Sequence, residues 1–533
     1  MRGAALLGTW RLVRFAARRD RVRLAVWVLG VSAAVVVSAA SLLDVYATQA
    51  SIEGYVRLFG DNPALVVFAG PGYGFDEPSI GVILVNETQL WGMIGVALMS
   101  IFLLNRQTRA EEESERTELL RSLVVGRHAP VAAATVVVTV ANAVVAALTC
   151  IGFVVLGYPA AGSLALSGSF VGVGLMFVGV TAVMAQVFGT GRSTLGAAST
   201  TLLLAFVVRA VGDVGVGGWL TWCSPIGWAQ AVRAFAGERW WTLAVCVIGA
   251  AVLVTVSFWL GTVRDLGAGL WAGRTGRSTA PSWMTHPLGL AVRLARGLVA
   301  GWMVGLFVTG VVFGVIADDI DEMLAENPQM AEFFAQLEGE SLTDAYLSTA
   351  TMMLGLIASG LSVALVLVPH GDESKGRAAW MLAGPLGRSR WLMSHVVTCV
   401  GATVAAIGAA GLGIGVAYAW VTDDLDAIPH LFVRSLVAVP AALVLAGAAV
   451  AIFGLAPRGS VFGWAPLVVS ALVLFLGEVL QLPHWVRSVS PFEHVPVAGD
   501  GYEALSMLGL SGCAVALVAL GWWGVTRRDI ADH

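Results

Sequence analysis

The chain has 533 residues, of which 57% are hydrophobic and 12% charged, with a mean hydropathy of +0.82 and a net charge of −4. Because soluble domains carry about 25% charged residues, this composition excludes a soluble globular protein and predicts an all-α polytopic membrane protein with no nucleic-acid partner. The five cysteines show no paired spacing, so we expect neither a disulfide nor a metal site.

Twelve apolar runs are long enough to be transmembrane helices. A helix of roughly 20 apolar residues crosses a hydrocarbon core of about 30 Å. In chain order, the predicted spans cover residues 23–43, 86–105, 131–157, 169–189, 195–212, 241–261, 297–317, 346–368, 391–419, 431–454, 461–480 and 503–525.

The distribution of arginines predicts the orientation. Basic residues precede the first span and fill alternate loops, whereas the loop from Asp318 to Asp344 is acidic. By the positive-inside rule, both termini are cytoplasmic and the protein spans the bacterial plasma membrane. Residues 5–20 alternate apolar and arginine positions, which favours an interfacial helix over a plain basic tail. Small external surface helices are expected in loops 44–85 and 318–345.

The most charged stretch, Thr108–Pro130, follows the second span. Thr108 and Glu111 have the spacing of a capping box, the following glutamates suit the positive end of a helix dipole, and Gly126 ends the pattern. We therefore predict a short amphipathic helix here. Its apolar edge consists of Leu119, Leu120 and Leu123.

A weaker copy of this stretch, Asp372–Arg390, follows the eighth span. At a constant offset Glu112 aligns with Glu373 and Arg116 with Arg377, and Arg-Asp pairs follow both the sixth and the twelfth span. This recurrence predicts two parallel six-helix repeats, residues 1–275 and 276–533. A charged loop is usually only a solvated face, but its recurrence in each half favours a docking surface.

Motifs for catalysis are absent from the sequence. It contains no Gly-x-x-x-x-Gly-Lys-Ser/Thr phosphate loop, no His-Glu-x-x-His and no Gly-x-Ser-x-Gly, so no catalytic residue is assigned and the chain is predicted not to be an enzyme. The glycines of Gly411–Gly415 are expected to pack helices closely. Few ionisable residues lie within the spans, and Arg209, Arg434 and Glu478 near the external ends are expected to snorkel toward the interface.

Aromatic and methionine side chains cluster on three spans. They are candidates for lining a central apolar cavity, because soft side chains adapt to ligands of varied shape. Simple helix packing explains them equally well. The candidate cavity residues are Trp91, Met93, Met99, Phe102, Phe206, Met352 and Met353.

The whole pattern resembles a known family. The helix motif within Glu111–Arg127, the Ser-Pro-Ile-Gly-Trp sequence at Ser224–Trp228 and the Arg-Asp-Leu-Gly-Ala-Gly sequence after the sixth span are similar to those of actinobacterial ABC-2-type permeases that export polyketide antibiotics, the tetronasin-type multidrug efflux group. The second copy departs from the motif, since Gly376 and two alanines replace polar residues.

This resemblance implies a type V ABC exporter fold, with both transmembrane halves in one chain as a pseudo-dimer. It implies export of hydrophobic or amphipathic compounds, with ATP and Mg bound by two copies of a separate ATPase subunit and no cofactor on this chain. The residues implied to couple ATP hydrolysis to transport are Glu111, Glu112, Arg116, Glu118, Glu373 and Arg377.

Two other classes of protein remain open. A twelve-span proton-coupled drug antiporter would share the six-plus-six duplication, but the spans have few carboxylates for a proton relay. A lipid-modifying membrane enzyme would need a catalytic constellation, and the sequence shows none.

Overall fold

A computed structural model provides the architecture and describes twelve stretches of the chain. These are residues 5–60, 66–67, 69–113, 124–214, 218–265, 268–271, 279, 281–317, 342–374, 376–476, 483–495 and 504–528. Throughout these stretches the chain is helical and forms no β-strand, with one isolated bridge between Phe188 and Trp271. The all-α prediction is confirmed.

The chain divides into two compact units, Met1–Gly276 and Arg277–His533. The α-helices of the first unit are α1 (Thr9–Arg19), α2 (Arg21–Val45), α3 (Gln49–Gly60), α4 (Ile80–Gln107), α5 (Arg109–Glu113), α6 (Ala129–Val155), α7 (Ala160–Val187), α8 (Gly191–Asp213), α9 (Pro225–Gln230) and α10 (Trp241–Val263). Those of the second unit are α11 (Pro287–Ile316), α12 (Leu342–Val366), α13 (Val368–Ser374), α14 (Arg377–Leu382), α15 (Arg388–Thr422), α16 (Ala427–Ser435), α17 (Val439–Leu455), α18 (Ala465–Leu476), α19 (His484–Arg487) and α20 (Ala504–Arg527).

Among the residues that the structure describes, twelve helical segments are long and apolar enough to cross a membrane, and each matches one predicted span. The protein is therefore a multi-pass membrane protein. Helix α7 begins at Ala160, earlier than predicted, because Ser163 and Ser167 lower the local hydropathy although both are buried. Helix α11 begins at Pro287, which suits a first helical position, and continues through Arg293.

Each unit has its own apolar core. In the first unit α4 and α7 are the most enclosed spans, and Met93, Leu84, Phe170 and Phe177 lie fully buried between the helices. Helix α10 packs on the periphery. In the second unit α12, α15 and α17 occupy the enclosed positions, whereas α11 and α20 expose most of their surface.

Helices α11 and α15 approach each other at glycines. A Cβ on Gly413 would lie 2.2 Å from the carbonyl oxygen of Phe307, and a Cβ on Gly310 would lie 2.3 Å from that of Ala410. Only hydrogen fits in these gaps. The prediction that the Gly411–Gly415 glycines serve helix packing is confirmed.

A buried side-chain hydrogen bond joins the second and third spans within each unit. In the first, Asn142 Nδ2 donates to Ser100 Oγ at 2.9 Å. In the second, the hydroxyls of Ser362 and Thr403 lie 2.7 Å apart. Hydroxyl and amide groups of this kind connect membrane helices because hydrocarbon offers them no other partner.

The surface helices agree with the sequence in part. Helix α1 exposes Trp10 and Phe15 while Val13 packs on α6, and α3 lies within the first predicted external loop. Residues 318–341 of the second external loop lie outside the described residues. The predicted capping box is wrong. The Thr108 hydroxyl donates to the carbonyl oxygen of Leu104 at 2.7 Å, so Thr108 belongs to the end of α4 and does not cap the next helix.

Arg209 does not snorkel. Its guanidinium is fully buried, lies 3.1 Å from Asp213 Oδ2 and donates to the carbonyl oxygen of Val67 at 2.6 Å. A buried charge needs such partners, so the interfacial position predicted for Arg209 is wrong. Arg434 is also buried and pairs with Asp344 at 3.0 Å, and Glu478 lies outside the described residues.

Candidate functional site

The three glutamates of α5 contact their own unit. Glu111 forms an ion pair of 2.8 Å with Arg19 of α1. Glu113 accepts a hydrogen bond of 3.0 Å from the backbone N–H of Gly191, at the start of α8. A carboxylate is favourable there, because the first N–H groups of a helix lack partners and carry partial positive charge.

Glu112 lies at the centre of a buried polar network. Its two carboxylate oxygens each lie 2.5 Å from a guanidinium nitrogen, one of Arg109 and one of Arg264. Arg264 Nε in turn donates to Gln186 Oε1 at 2.7 Å. We call these four residues the Glu112 cluster. The carboxylate bonded to two guanidinium groups joins the loop after the second span to the segment that follows the sixth span.

The second unit contains a corresponding contact. Arg528, which follows α20, donates from both Nη atoms to the two oxygens of Glu373, at 2.6 and 2.7 Å. This two-point geometry is the strong form of an arginine–carboxylate pair. The guanidinium of Arg528 also lies 4.9 Å from the ring centroid of Phe453. We call these three residues the Glu373 cluster.

In each unit another arginine binds the backbone of the cluster arginine that follows the last span. Arg127 Nη2 donates to the carbonyl oxygen of Arg264 at 3.3 Å, and Arg388 Nη1 donates to that of Arg528 at 2.7 Å. Arg127 stands just before the third span of the first unit, and Arg388 is the first residue of the third span of the second unit. In each unit, the end of the last span is therefore held from both sides of the loop that follows the second span.

Asp20 is the centre of a further set of polar contacts beside α5, which we call the Asp20 node. Arg106 Nε donates to Asp20 Oδ1 at 2.9 Å, and Gln107 Nε2 donates to Oδ2 at 3.3 Å. Burial alone would raise the pKa of Asp20, but the hydrogen bond and charge of Arg106, with the charge of Arg19, lower the pKa below its ordinary value of 3.8. The node fixes the junction of α1 and α2 against the end of α4.

A polar cavity adjoins the Glu112 cluster. It has a volume of about 180 Å³ and is lined by Glu112, Gln186 and Arg264 together with Arg127 and His128. Asp265 also lines it, so the lining contains two arginines and two carboxylates.

The other three predicted coupling residues are Arg377, Arg116 and Glu118, and they do not belong to either cluster. Arg377 is 57% exposed and pairs with Asp372 at 2.6 Å. Arg116 and Glu118 fall between 114 and 123, outside the described residues. The buried contacts of Glu112 and Glu373 were not predicted, although the sequence marks both glutamates and both partner arginines as recurring at matching places in the two halves.

Two comparisons with known proteins point to the same family. A family model described as the multidrug efflux system permease Rv1217c, C-terminal domain, matches residues 284–525. The multidrug efflux system permease protein Rv1217c of Mycobacterium tuberculosis (strain ATCC 25618 / H37Rv) is 35% identical, over 99% of this chain and 96% of its own length. The chain belongs to this family of multidrug efflux permeases.

In this efflux permease, the predicted cavity residues occupy different environments. Met93 and Met99 are fully buried in the core of the first unit, where they pack between helices. Trp91 and Phe102 are exposed, and Phe102 stacks on Trp27 with ring centroids 5.9 Å apart. The remaining three are half-buried and are Phe206 on α8 with Met352 and Met353 on α12.

Proposed function

We propose that this chain is the membrane-spanning subunit of an ABC exporter that moves hydrophobic or amphipathic compounds, polyketide antibiotics among them, out of the cell. The observation that carries the proposal is the repeated ion pair: Glu112 with Arg264, and Glu373 with Arg528. In each unit it connects the loop after the second span to the end of the last span. When such a loop is moved, the ion pair can transmit the movement to the last membrane helix of the unit.

The energy for transport would come from two copies of a separate ATPase subunit, which bind ATP and Mg. The sequence of this chain carries no phosphate-loop motif, which supports a division of labour between permease and ATPase. The permease itself needs no cofactor under this proposal.

The proposed arrangement is two parallel six-span halves, residues 1–275 and 276–533, of the type V exporter form with both termini cytoplasmic. It is supported by the matching hydrogen bonds between second and third spans, Asn142 to Ser100 and Thr403 to Ser362. The matching ion pairs support it as well. The arginine-rich start of the chain favours the cytoplasmic assignment.

The predicted coupling residues then have two roles. Glu111, Glu112 and Glu373 are positioning residues, because their carboxylates are occupied by arginines of their own unit. Arg377 has the exposure that contact with an ATPase requires. Arg116 and Glu118 are proposed as contacts from sequence alone.

We propose that substrate passes beside the second span of each half. Trp91 and Phe102 offer exposed aromatic surface there. Met93 and Met99 are buried and would act only by packing against the residues that face the substrate. Met352 and Met353 would serve the second half, and Phe206 the fifth span of the first.

Co-purification with the cognate ATPase tests the proposal. The permease alone should hydrolyse no ATP, and the complex should show substrate-stimulated hydrolysis that vanadate inhibits. Arg377→Glu should weaken the complex, and Arg18→Glu, at an exposed position on α1 outside both predicted docking stretches, provides a control of equal charge change. A complex that forms but transports without ATP would contradict the proposal.

The antiporter alternative predicts a different energy source. Drug efflux from proteoliposomes of the permease alone, driven by a pH gradient, would support it. We expect no efflux under those conditions, and efflux only when the ATPase and ATP are present.

A further inference from the structure

A groove runs between α2 and α4 on the surface of the first unit. It has a volume of about 500 Å³, within the range of small-molecule sites. Gly30 and Ala34 on α2 and Gly95 on α4 line it and leave room by their small size. A Cβ on Gly30 would meet no atom within 4 Å, so this part of the groove is open space.

The walls are mostly apolar, with two hydroxyl side chains, Ser38 and Thr88, and one charge. Glu87 is the only charged residue among those that line the groove. It is half-buried, and the Tyr55 hydroxyl donates a hydrogen bond of 2.7 Å to Glu87 Oε1. None of the ion pairs found among the described residues includes Glu87. Glu87 lies within α4, and a carboxylate inside a membrane-spanning helix costs several kcal/mol unless a positive group compensates it.

Aromatic faces stand beside the carboxylate. Trp91 lies one helical turn after Glu87, so the two side chains share a face of α4, and Trp91 is 57% exposed. Trp27 lines the opposite wall on α2, where Phe102 holds it by stacking. Tryptophan faces attract cations, and they do so more strongly when water is excluded.

From this geometry we propose that the groove binds lipophilic organic cations, with the cationic centre beside the carboxylate of Glu87 and the apolar groups between α2 and α4. The inference rests on the proposed function, since it names one substrate class for the exporter. Charge complementarity selects this occupant: a neutral compound would leave the Glu87 charge uncompensated, and an anion would be repelled by it.

Binding of radiolabelled tetraphenylphosphonium to the purified full-length permease tests the inference without any ATPase. Equilibrium dialysis in detergent should show saturable binding by the wild type and about tenfold weaker binding by Glu87→Gln, equivalent to about 1.4 kcal/mol. Glutamine keeps an acceptor for the Tyr55 hydroxyl and changes only the charge. Uncharged triphenylphosphine oxide should bind to Glu87→Gln at least as tightly as to the wild type, because the variant has no charge for a neutral compound to leave uncompensated.

Two further variants serve as controls. Glu53→Gln removes the same charge from an exposed position on α3, outside the groove, and should bind tetraphenylphosphonium like the wild type. Gly30→Phe fills the groove without changing its charge and should abolish saturable binding. Thermal unfolding of each variant should match the wild type, which confirms that the fold is retained.

Several results would overturn the inference. They are equal binding by wild type and Glu87→Gln, an equal loss with Glu53→Gln, or wild-type binding by Gly30→Phe. Displacement of the cation by phosphatidylethanolamine at equimolar lipid would assign the groove to a lipid ammonium group and would overturn it too.

The same data distinguish this inference from the proposed function. If Glu87-dependent binding is found but the complex with an ATPase shows no transport, the inference stands and the exporter proposal fails. If ATP-driven export is found and Glu87→Gln exports cations at the wild-type rate, the exporter proposal stands and the inference fails.

Discussion

Ion pairs at the ends of the spans hold the segments of each unit together. The Glu373 cluster is the clearest case, because both oxygens of Glu373 and both Nη atoms of Arg528 are used. Removing one partner of such a pair leaves the other buried and uncompensated, and this costs more than the pair itself contributes.

Glu373→Gln should therefore lower the free energy of unfolding by about 3 kcal/mol. The double variant with Arg528→Gln should recover part of the loss, since no buried charge is left alone. Arg377→Ala, which breaks an exposed pair, should cost at most about 1 kcal/mol. Thermal unfolding of the purified protein measures all three, and an equal loss for Arg377→Ala would contradict this ranking.

The lowered pKa of Asp20 predicts that the stability of the folded protein depends on pH. Its pKa is lower in the folded protein than the ordinary value of 3.8, so the contribution to stability is present above that value and is lost as the pH falls through the folded pKa. Asp20→Asn should be less stable than the wild type at pH 7, and the two melting temperatures should converge as the pH falls through the folded pKa of Asp20, which lies below 3.8. A difference that stays constant throughout an acid titration would contradict the assignment.

Individual residues also show the limits of sequence reasoning. Glu112 and Glu373 are conspicuous as recurring charges, but a charge pattern does not reveal whether a carboxylate faces a partner protein or its own unit. Thr108 has the spacing of a helix cap, yet it forms the last turn of α4. Arg209 is buried because Asp213 and a distant backbone carbonyl compensate it, and neither contact is visible in hydropathy.

At the level of helices, the twelve spans are predictable because each is an apolar run longer than a bilayer needs. Their ends are less so. Helix α7 begins in a serine-rich segment whose hydroxyls have partners. Ser163 Oγ donates to the carbonyl oxygen of Pro159 at 2.8 Å, and Ser167 Oγ accepts a hydrogen bond of 3.0 Å from Thr149 on α6. Polar residues with such partners lower hydropathy without ending a span.

Glycine contacts between α11 and α15 give a prediction for helix packing. Gly413→Val would place side-chain atoms where the carbonyl oxygen of Phe307 lies, so the helices must separate and we expect a loss of about 3 kcal/mol. Gly305→Val on α11, where a Cβ meets nothing within 4 Å, is the matched control and should change stability little. Similar losses in the two variants would show that close approach is not the cause.

Across the whole molecule, the two units form corresponding contacts that differ in their number of partners. Among the described residues, Glu112 bridges two arginines, whereas Glu373 pairs with one. If ATP-driven motion enters through these loops, Glu112→Gln should reduce substrate-stimulated ATPase activity more than Glu373→Gln in the assembled exporter. Equal losses, measured at matched expression, would argue that the two loops are equivalent.

Every ion pair of the Glu112 and Glu373 clusters closes within one unit. A coding sequence divided between residues 276 and 277 would therefore yield two polypeptides, each keeping both partners of its own cluster and its own apolar core. We expect the two fragments to be produced together as stable membrane proteins.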